Sequence, residues 1–394
     1  MRSKPNTVIS KFAAAIALLM AITFFTTAQA QITTAIRGVV VNQQDEAVTD
    51  ASVKITHTAS GTVSLATSNE NGVFSARGLR VGGPYSVEIS GSGFSAVQID
   101  DLYLALDRTL NLPVTIQAEA AIEEVRVVAT RQSVGYKNQG LGTDLGIEAL
   151  EEVASIDRDI TDAAAQNPFA IINVQSGGAK ELTIAGANNR FNSLTVDGVA
   201  LNDRFGLNAN GYPTQRSPIS YDAIESLSIQ TAPFDVEYNG FTGGTINAVT
   251  KSGTNEFFGS LAYYSTDDSL VGDKNKERDF DFTFEEETLV ATLGGPIIQD
   301  KLFFFVAYDK YEEVAPLSNG PVGSGALNIR EGITLDDVAE VGQIVSDVWG
   351  FDIGGFSKEP AEDEKILANI DWNISDAHRA KFTYISTEGN TIRE

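Results

Sequence analysis

The chain has 394 residues, 28 Lys and Arg against 53 Asp and Glu, and a formal charge of −25. Such acidity argues against a nucleic-acid partner, whose phosphates need cationic side chains. Cysteine is absent and there are only two histidines, His57 and His378, which removes disulfides, thiolate catalysis, Cys-based zinc and any three-His metal site, so neither a metal nor a cofactor is expected. With 42% hydrophobic residues, 35 Gly and 21 Phe, the composition suits a strand-rich, turn-rich protein of two to three domains at about 150 residues each.

Arg2, Lys4 and Lys11 precede an uncharged apolar run from Phe12 to Phe25, and Ala28-Gln29-Ala30 follows. This is the pattern of a secretory signal peptide over residues 1–30, cleaved between Ala30 and Gln31. The run is shorter than the roughly 20 residues a membrane helix needs. No second run approaches that length, so any membrane insertion has to use strands.

Residues 32–117 read as short strands separated by Gly, Asn and Pro turns: Ala35 to Val41, Ala51 to Thr56 with Val53 and Ile55 on one face, Val73 to Ser75, Tyr85 to Ile89, and Leu110 to Ile116. That rhythm predicts a β-sandwich. "IRGVVVNQQDEAVTDASVKIT" and "ATSNENGVFSARGLRVGGPYSVEISGSGF", with Gly72, Gly78 and Gly93 at the turns, resemble the carboxypeptidase regulatory-like domain, which implies a transthyretin-like sandwich and no peptidase activity. Gly91 to Ala96 matches G-x-G-x-x-A, but a dinucleotide site needs a helix next and "VQIDDLYLAL" is β-rich. His57 reads as a surface or half-buried strand residue.

Residues 118–130 form a linker around Ile122, Glu123, Glu124, Val125, Arg126, Val127, Val128 and Ala129. Its valines favour a strand. Such a strand either adds to the edge of a partner's sheet through main-chain hydrogen bonds or opens the next domain; its own residues leave both readings open.

Residues 131–252 read as an α+β unit. A helix is expected from Asp157, its N-cap, to Gln166, before Pro168. Asp197-Gly198 signals a tight turn between apolar strands, and Gly243-Gly244 signals positive φ or a close backbone approach. "LTVDGV", Ile224 to Ile229 and "GGTIN" running on to Lys251 resemble the plug domain of TonB-dependent outer-membrane receptors. "QTAPFDVEYNGFTGGTINAVTKSGTNEFFGS" is similar to the Oar-like branch, whose members also carry the N-terminal sandwich. Many plugs have Arg where Ala185 stands in "IAG", which puts that plug-to-barrel contact in doubt. The resemblance implies that Ile122 to Ala129 takes the place of the TonB box, pulled by a TonB-type inner-membrane energy coupler. It also implies that the loops bearing Asn188, Asn189, Arg190, Phe191 and Asn192, and Asn202 to Asn210 with Arg204 and Phe205, face outward and touch an unknown extracellular ligand.

Residues 253–394 hold five strand candidates: Phe257 to Ser265, Glu287 to Gly294, Leu302 to Tyr311, Ile366 to Ile374 and Ala380 to Ser386. In the fourth, Ile366, Ala368, Ile370, Trp372 and Ile374 share one face, with Leu367, Asn369, Asp371 and Asn373 on the other. In the fifth, Ala380, Phe382 and Tyr384 oppose Lys381 and Thr383. Lipid-facing barrel strands have this alternation, with aromatics near the ends. The connections run long (Thr266 to Glu286), short ("GPIIQDK"), long (Glu312 to Lys365) and short (Ser375 to His378), as outer-membrane barrels do. An amphipathic packing helix is expected over Thr334 to Trp349, capped by Thr334 and stopped by Gly350; its flanking acids read as a solvated face.

The expected fold is therefore mainly β: a sandwich, an α+β plug and the first strands of a transmembrane antiparallel β-barrel in outer-membrane lipid. Barrels with a plugged lumen have about 22 strands, so the sequence reads as part of a longer protein. The expected function is energy-coupled uptake of a scarce solute (siderophore, oligosaccharide or peptide), with no enzyme activity. The alternative is adhesion or protein export, with transport secondary.

Overall fold

A computed structural model describes residues 33–106, 108–118, 125–127, 142–155, 158–174, 180–206, 208–214, 216–231, 241–270, 274–275, 278–279, 284–314, 319–326, 328–352, 361–375 and 378–390. The expected signal peptide, with Ala30 and Gln31, lies outside them. So do Ile122, Glu123, Glu124, Val128 and Ala129.

The first unit has strands β1 (Thr34–Val41), β2 (Ser52–His57), β3 (Thr62–Thr67), β4 (Val73–Leu79), β5 (Gly82–Ser90), β6 (Val97–Leu104), β7 (Thr109–Asn111) and β8 (Val114–Thr115). One sheet runs β4-β1-β7, with β8 also beside β1; the other runs β3-β2-β5-β6. Period-2 alternation sends Ile36, Val40, Val53, Ile55, Phe74, Val87 and Ile89 into one shared core. The expected closing strand Leu110 to Ile116 is instead split into β7 and β8, since Pro113 at the break has no N–H to give a ladder. After Gly91 the chain enters β6 and not a helix. His57 is buried, not a surface residue. Its Nδ1 lies 2.7 Å from Ser60 Oγ, and its ring centroid is 4.8 Å from that of Tyr85.

The sheet containing β6 continues into β9 (Val125–Val127), which lies at its end. Val97, Gln98 and Ile99 face Val125, Arg126 and Val127 in parallel register. The linker strand thus belongs neither to the plug sheet nor to the wall.

The plug has β10 (Gly142–Gly146), α1 (Ile147–Glu152), α2 (Ile160–Ala164), β11 (Ala170–Val174), β12 (Lys180–Ile184), β13 (Ser193–Val196), β14 (Val199–Ala200), β15 (Ile224–Gln230) and β16 (Thr245–Thr250). Its main sheet runs β10-β15-β16-β13-β14, with β13 and β16 parallel and the other pairs antiparallel. The expected helix starts later and is shorter. Asp159, not Asp157, is its cap, accepting from the Thr161 amide at 2.8 Å, while Asp157 lies outside the described residues. Asp197 and Gly198 have φ of 46° and 78°, as a type I′ turn requires. Gly243 and Gly244 answer to close approach: a Cβ on Gly244 would lie 2.6 Å from Ile184 Cγ2, and one on Gly243 2.3 Å from Asn192 Oδ1.

The last unit is one antiparallel sheet, β17 (Phe258–Asp267), β20 (Glu285–Ile298), β21 (Leu302–Val314), β24 (Ala361–Ser375) and β25 (His378–Asn390), paired in chain order. Small pairs β18 (Lys274–Asn275) with β19 (Arg278–Asp279), and β22 (Asn319–Val322) with β23 (Asn328–Thr334), ornament the long connections. The expected alternation holds in β24: Ile366, Ile370, Trp372 and Ile374 are exposed, while Leu367, Asn369 and Asp371 are buried. The strands are longer than expected, because Glu285, Glu286, Glu312, Glu313 and Glu362 to Glu364 continue the ladders. Gly295 to Ile298, expected in a turn, likewise belong to β20.

Helix α3 (Leu335–Trp349) follows the reading closely. Thr334 and Asp337 form a capping box, and Gly350 ends the helix at φ 66°. It is not a packing helix, however: none of its residues is buried, and Leu335, Val341, Ile344 and Val348 are exposed. No group of acids or histidines able to hold a metal occurs among the described residues.

The sandwich core is local, so residues 32–117 are expected to fold alone as a soluble domain. His57 is its single histidine, and burial above all, then Arg80 and Arg379, push its pKa down to about 3. A folded-state value below the unfolded 6.5 means that native protein resists protonation. Stability therefore falls as pH drops from 6.5 toward 3. An imidazole NMR titration of residues 32–117 should show a midpoint well below 6.5; one near 6.5 would show His57 solvated in the isolated domain.

Candidate functional site

The wall has two dissimilar faces. Leu261, Leu289, Leu293, Val306, Ile366, Ile370, Trp372, Phe382 and Tyr384 are exposed on one, the apolar band that lipid requires. The other face receives the plug. Phe305, Ala307 and Leu367 from the wall enter the same buried cluster as Leu145, Leu182, Leu194, Leu227 and Ile246 of the plug, so plug and wall share a core.

Beside that core sits a polar seat. Asp197 occupies the β13–β14 turn, aimed at the wall. Its carboxylate accepts from the Thr250 amide at 3.0 Å, Thr250 Oγ1 at 2.6 Å and Thr383 Oγ1 at 3.2 Å, and it pairs with Lys381 Nζ at 2.9 Å. Thr250 also accepts from Lys381 Nζ at 2.9 Å and from Asn369 Nδ2 at 2.7 Å. Alternation along β24 and β25 delivers Asn369, Lys381 and Thr383 to the inner face. The "IAG" position does not serve this contact: Ala185 is exposed at φ 53°.

At the end of the wall with short turns, the sandwich is bound to the same sheet. Arg379 donates to Ser64 Oγ at 2.7 Å and to the Gly78 carbonyl at 3.2 Å. Asn373 donates to Thr62 Oγ1 at 2.8 Å. Arg80 lies 3.6 Å from Asp371, and its guanidinium is 5.9 Å from the Phe303 ring centre. At the junction with the plug, a Cβ on Gly82 would lie 2.4 Å from Glu225 Oε1, and Gly82 has φ 89°, so no other residue fits there without strain. Between sandwich, plug and wall is a cavity of about 1150 Å³ lined by His57, Arg80, Glu225, Lys251, Asp371 and Arg379 among others.

At the other end, the structure brings together the two loops expected to face ligand. Asn189 Nδ2 donates to the Ala209 carbonyl. Arg190 lies over Gly206, whose missing Cβ would be 3.0 Å from Nη1. Asn188 caps the turn Asn189–Phe191, and Asn202 is a brace, accepting from the Leu194 amide at 3.0 Å and donating to the Asn192 carbonyl at 2.8 Å. Asp203 gathers the amides of Phe205, Gly206 and Asn208 at 2.8 to 3.0 Å, stiffening the loop that carries Arg204 and Phe205. Arg190, Phe191, Arg204 and Phe205 stay exposed, Phe205 at 88%. Thr387 Oγ1 donates to the Pro218 carbonyl at 2.8 Å, which fixes the end of this region to the long-loop end of β25.

Sequence reasoning named neither Asp197–Lys381 nor the Arg379 contacts. Lys381 was legible only as a polar residue on the inner face, and its partner lies far away in the chain.

Three family models match: the carboxypeptidase regulatory-like domain over residues 35–119, the TonB-dependent receptor plug domain over 148–245 and an outer-membrane β-barrel domain over 249–323. The chain therefore carries, in this order, a carboxypeptidase regulatory-like domain, a TonB-dependent receptor plug domain and outer-membrane β-barrel strands, a set that locates it in the outer membrane. It is 28% identical to the TonB-dependent transporter Oar of Myxococcus xanthus over 335 residues, which are 78% of this chain and 29% of that protein. It is 26% identical to the probable TonB-dependent siderophore receptor PirA of Acinetobacter baumannii, over 59% of this chain and 30% of that one. Among solved structures, the outer-membrane transporter YddB of Escherichia coli aligns with TM-score 0.45 at 12% identity, over 63% of this chain and 33% of that one. The chain thus spans under a third of the length of these curated relatives.

Removing the Asp197 carboxylate leaves Lys381 unpaired in a mostly buried position, a loss of about 3–5 kcal/mol. In the complete receptor, Asp197→Ala is expected to speed hydrogen exchange of the β13 and β16 amides at least about a hundredfold, at 1.4 kcal/mol per factor of ten. Unchanged exchange would show that the shared apolar core alone holds the plug.

Proposed function

We propose that this chain is the periplasmic and plugging portion of a receptor that takes up a scarce solute across the outer membrane, driven by a TonB-type energy coupler. The observation that carries this reading is the plug seated on the inner face of a lipid-facing sheet, through a shared core and the Asp197–Lys381 seat. A blocked lumen needs a means of opening. The segment Ile122 to Ala129, between sandwich and plug, supplies a handle. The coupler pairs with it through main-chain hydrogen bonds and pulls. The seat at Asp197 gives way, and the solute passes into the periplasm. The work is energy coupling and not bond chemistry.

Solute recognition falls to the paired loops. Arg190 and Arg204 offer charge, Phe191 and Phe205 offer rings, and Asp203 and Asn202 hold their backbones, so little ordering accompanies binding. A mixture of rings and guanidinium groups suits a polar solute with flat or anionic parts, such as an iron-chelating siderophore or a peptide.

In the complete receptor, Val127→Pro is expected to abolish energy-dependent uptake while outer-face binding survives, because Pro deletes a ladder donor and fixes φ. Uptake at the normal rate in that variant would remove the handle assignment. Arg204→Ala and Phe191→Ala should each weaken binding to whole cells about tenfold, the scale of about 1.4 kcal/mol for a lost contact, with the folded yield unchanged. Equal affinity in both would move recognition to the long barrel loops.

A further inference from the structure

Resting on the coupling reading above, we propose that the sandwich is a strap across the periplasmic end of the plug: it ties the first plug strand to the wall, and it has to leave the wall before the plug can be drawn out. The strand in question is β10, the first described plug strand after the proposed handle. It lies at the edge of the plug sheet and pairs with β15 alone. With one neighbour it has half the ladder of an inner strand, and a pull arriving from the handle reaches it first. Asp144 in its middle is buried. The Asp144 carboxylate accepts from Ser228 Oγ of β15 at 2.6 Å and pairs with Nε of Arg108, a sandwich residue, at 2.5 Å. The Arg108 carbonyl accepts from Thr34 Oγ1 of β1, so the residue that grips β10 is itself anchored in the sandwich.

The sandwich grips plug and wall by different chemistry. Toward the plug, Val81 and Leu106 close a small apolar cluster with Val249 of β16, and Gly82 packs against Glu225 of β15, beside the Arg108–Asp144 pair. Toward the wall the contacts are mainly polar: Asn373 to Thr62, Arg379 to Ser64 and Gly78, Arg80 beside Asp371, and the Asn255 amide to the Ala59 carbonyl at 2.8 Å. Asn373 alternates with the buried Asn369 and Asp371 along β24, and Arg379 is its register partner on β25. These grips therefore lie on the inner face, the face that carries the plug, at its short-turn end.

Which joint opens follows from what water can replace. Hydrogen bonds at a rim exchange for hydrogen bonds to water at little net cost. Apolar surface has no such substitute, and a carboxylate left buried without its cation is costly. Under a pull the sandwich thus parts from the wall and stays with the plug, and the two come away as one body. Until then β10 cannot peel past Asp144, the third rung from Gly142. The contact is autoinhibitory: the resting receptor stays closed until the load exceeds what the rim contacts bear.

The absence of cysteine allows this joint to be locked. Thr62 Oγ1 and Asn373 Nδ2 meet at 2.8 Å, so Thr62→Cys and Asn373→Cys in the complete receptor can be joined by a short, reducible bis-thiosulfonate reagent. The protein is held in a supported bilayer, and the periplasmic domain of the energy coupler, mounted on a force probe, draws on it. At the same load, release of plug chain is expected at least about tenfold less often from the linked than from the reduced receptor, since forced unfolding follows the opening rate. Equal release from both would show that the plug leaves past a stationary sandwich, and the strap would be wrong. Arg379→Ala, with no added cysteine, is the converse variant: plug release should come at least about tenfold more often, and an unchanged frequency would also overturn the strap. Hydrogen exchange of the β10 amides needs no coupler and so separates the strap from the coupling reading. Linking should slow that exchange and Arg379→Ala should speed it. A coupler domain that draws nothing from the reduced receptor while exchange shifts in this way would remove the coupling reading and leave the strap; exchange unmoved by both changes would remove the strap.

Discussion

At membrane depth a backbone finds no water, so every N–H and C=O has to pair with a neighbouring strand. The five strands of the wall obey this with long, continuous ladders, and the consequence is a sheet with two chemically different faces. Outside, the pleat presents Leu261, Leu293, Ile366, Ile370, Trp372 and Phe382. Inside, it presents Phe303, Phe305, Ala307 and Leu367 in one region and Asn369, Asp371, Lys381 and Thr383 in another. Plug and sandwich are both held against that inner face. The plug borrows its apolar part to complete a core, and the polar part holds Asp197 and Thr250.

The same sheet sorts the rest of the chain between two compartments. Short turns leave one rim low, and there Asn373, Arg379 and Asp371 meet the sandwich. The other rim carries long connections and the acidic extensions of β20, β21 and β24, and there the loop from Asn202 to Pro218 approaches β25. The sandwich and the loop from Asn202 to Pro218 thus lie at opposite ends of one wall.

Much of this was legible because local rules act on neighbouring residues. Two solvents on two faces write the alternation of Ile366 to Ile374 directly into sequence. Thr334, Asp337 and Gly350 mark both ends of α3 by capping chemistry, and Asp197-Gly198 marks its turn by φ. Long-range pairing left no such trace. Nothing local distinguishes Asp157 from Asp159 as a cap; Asp159 wins because it also accepts from the Ser217 amide at 3.1 Å, far along the chain. The β6–β9 pair is parallel, so no hairpin turn announces it. The apolar stripe of α3 was legible too, but a stripe states only that a face is apolar and not what meets it.

The seat at Asp197 has an energetic character that bears on how a plug can be both firm and removable. Two ions taken out of water recover their solvation only when the pair and its hydrogen bonds are complete, so an intact buried pair adds little net stability, whereas a half-broken one is costly. Asp197 and Lys381, with Thr250 and Thr383 filling the remaining positions, are complete in the seated state. Fully withdrawn, both ions regain water. Between these ends lies a stretch of travel in which Lys381 is dry and unpaired, together with apolar surface from Phe305 and Leu367 newly exposed. A small displacement is therefore opposed more steeply than a large one, and packed interfaces of this kind switch between discrete arrangements instead of deforming gradually. Such a seat resists thermal rattling of the plug yet yields once a directed pull carries it past that stretch.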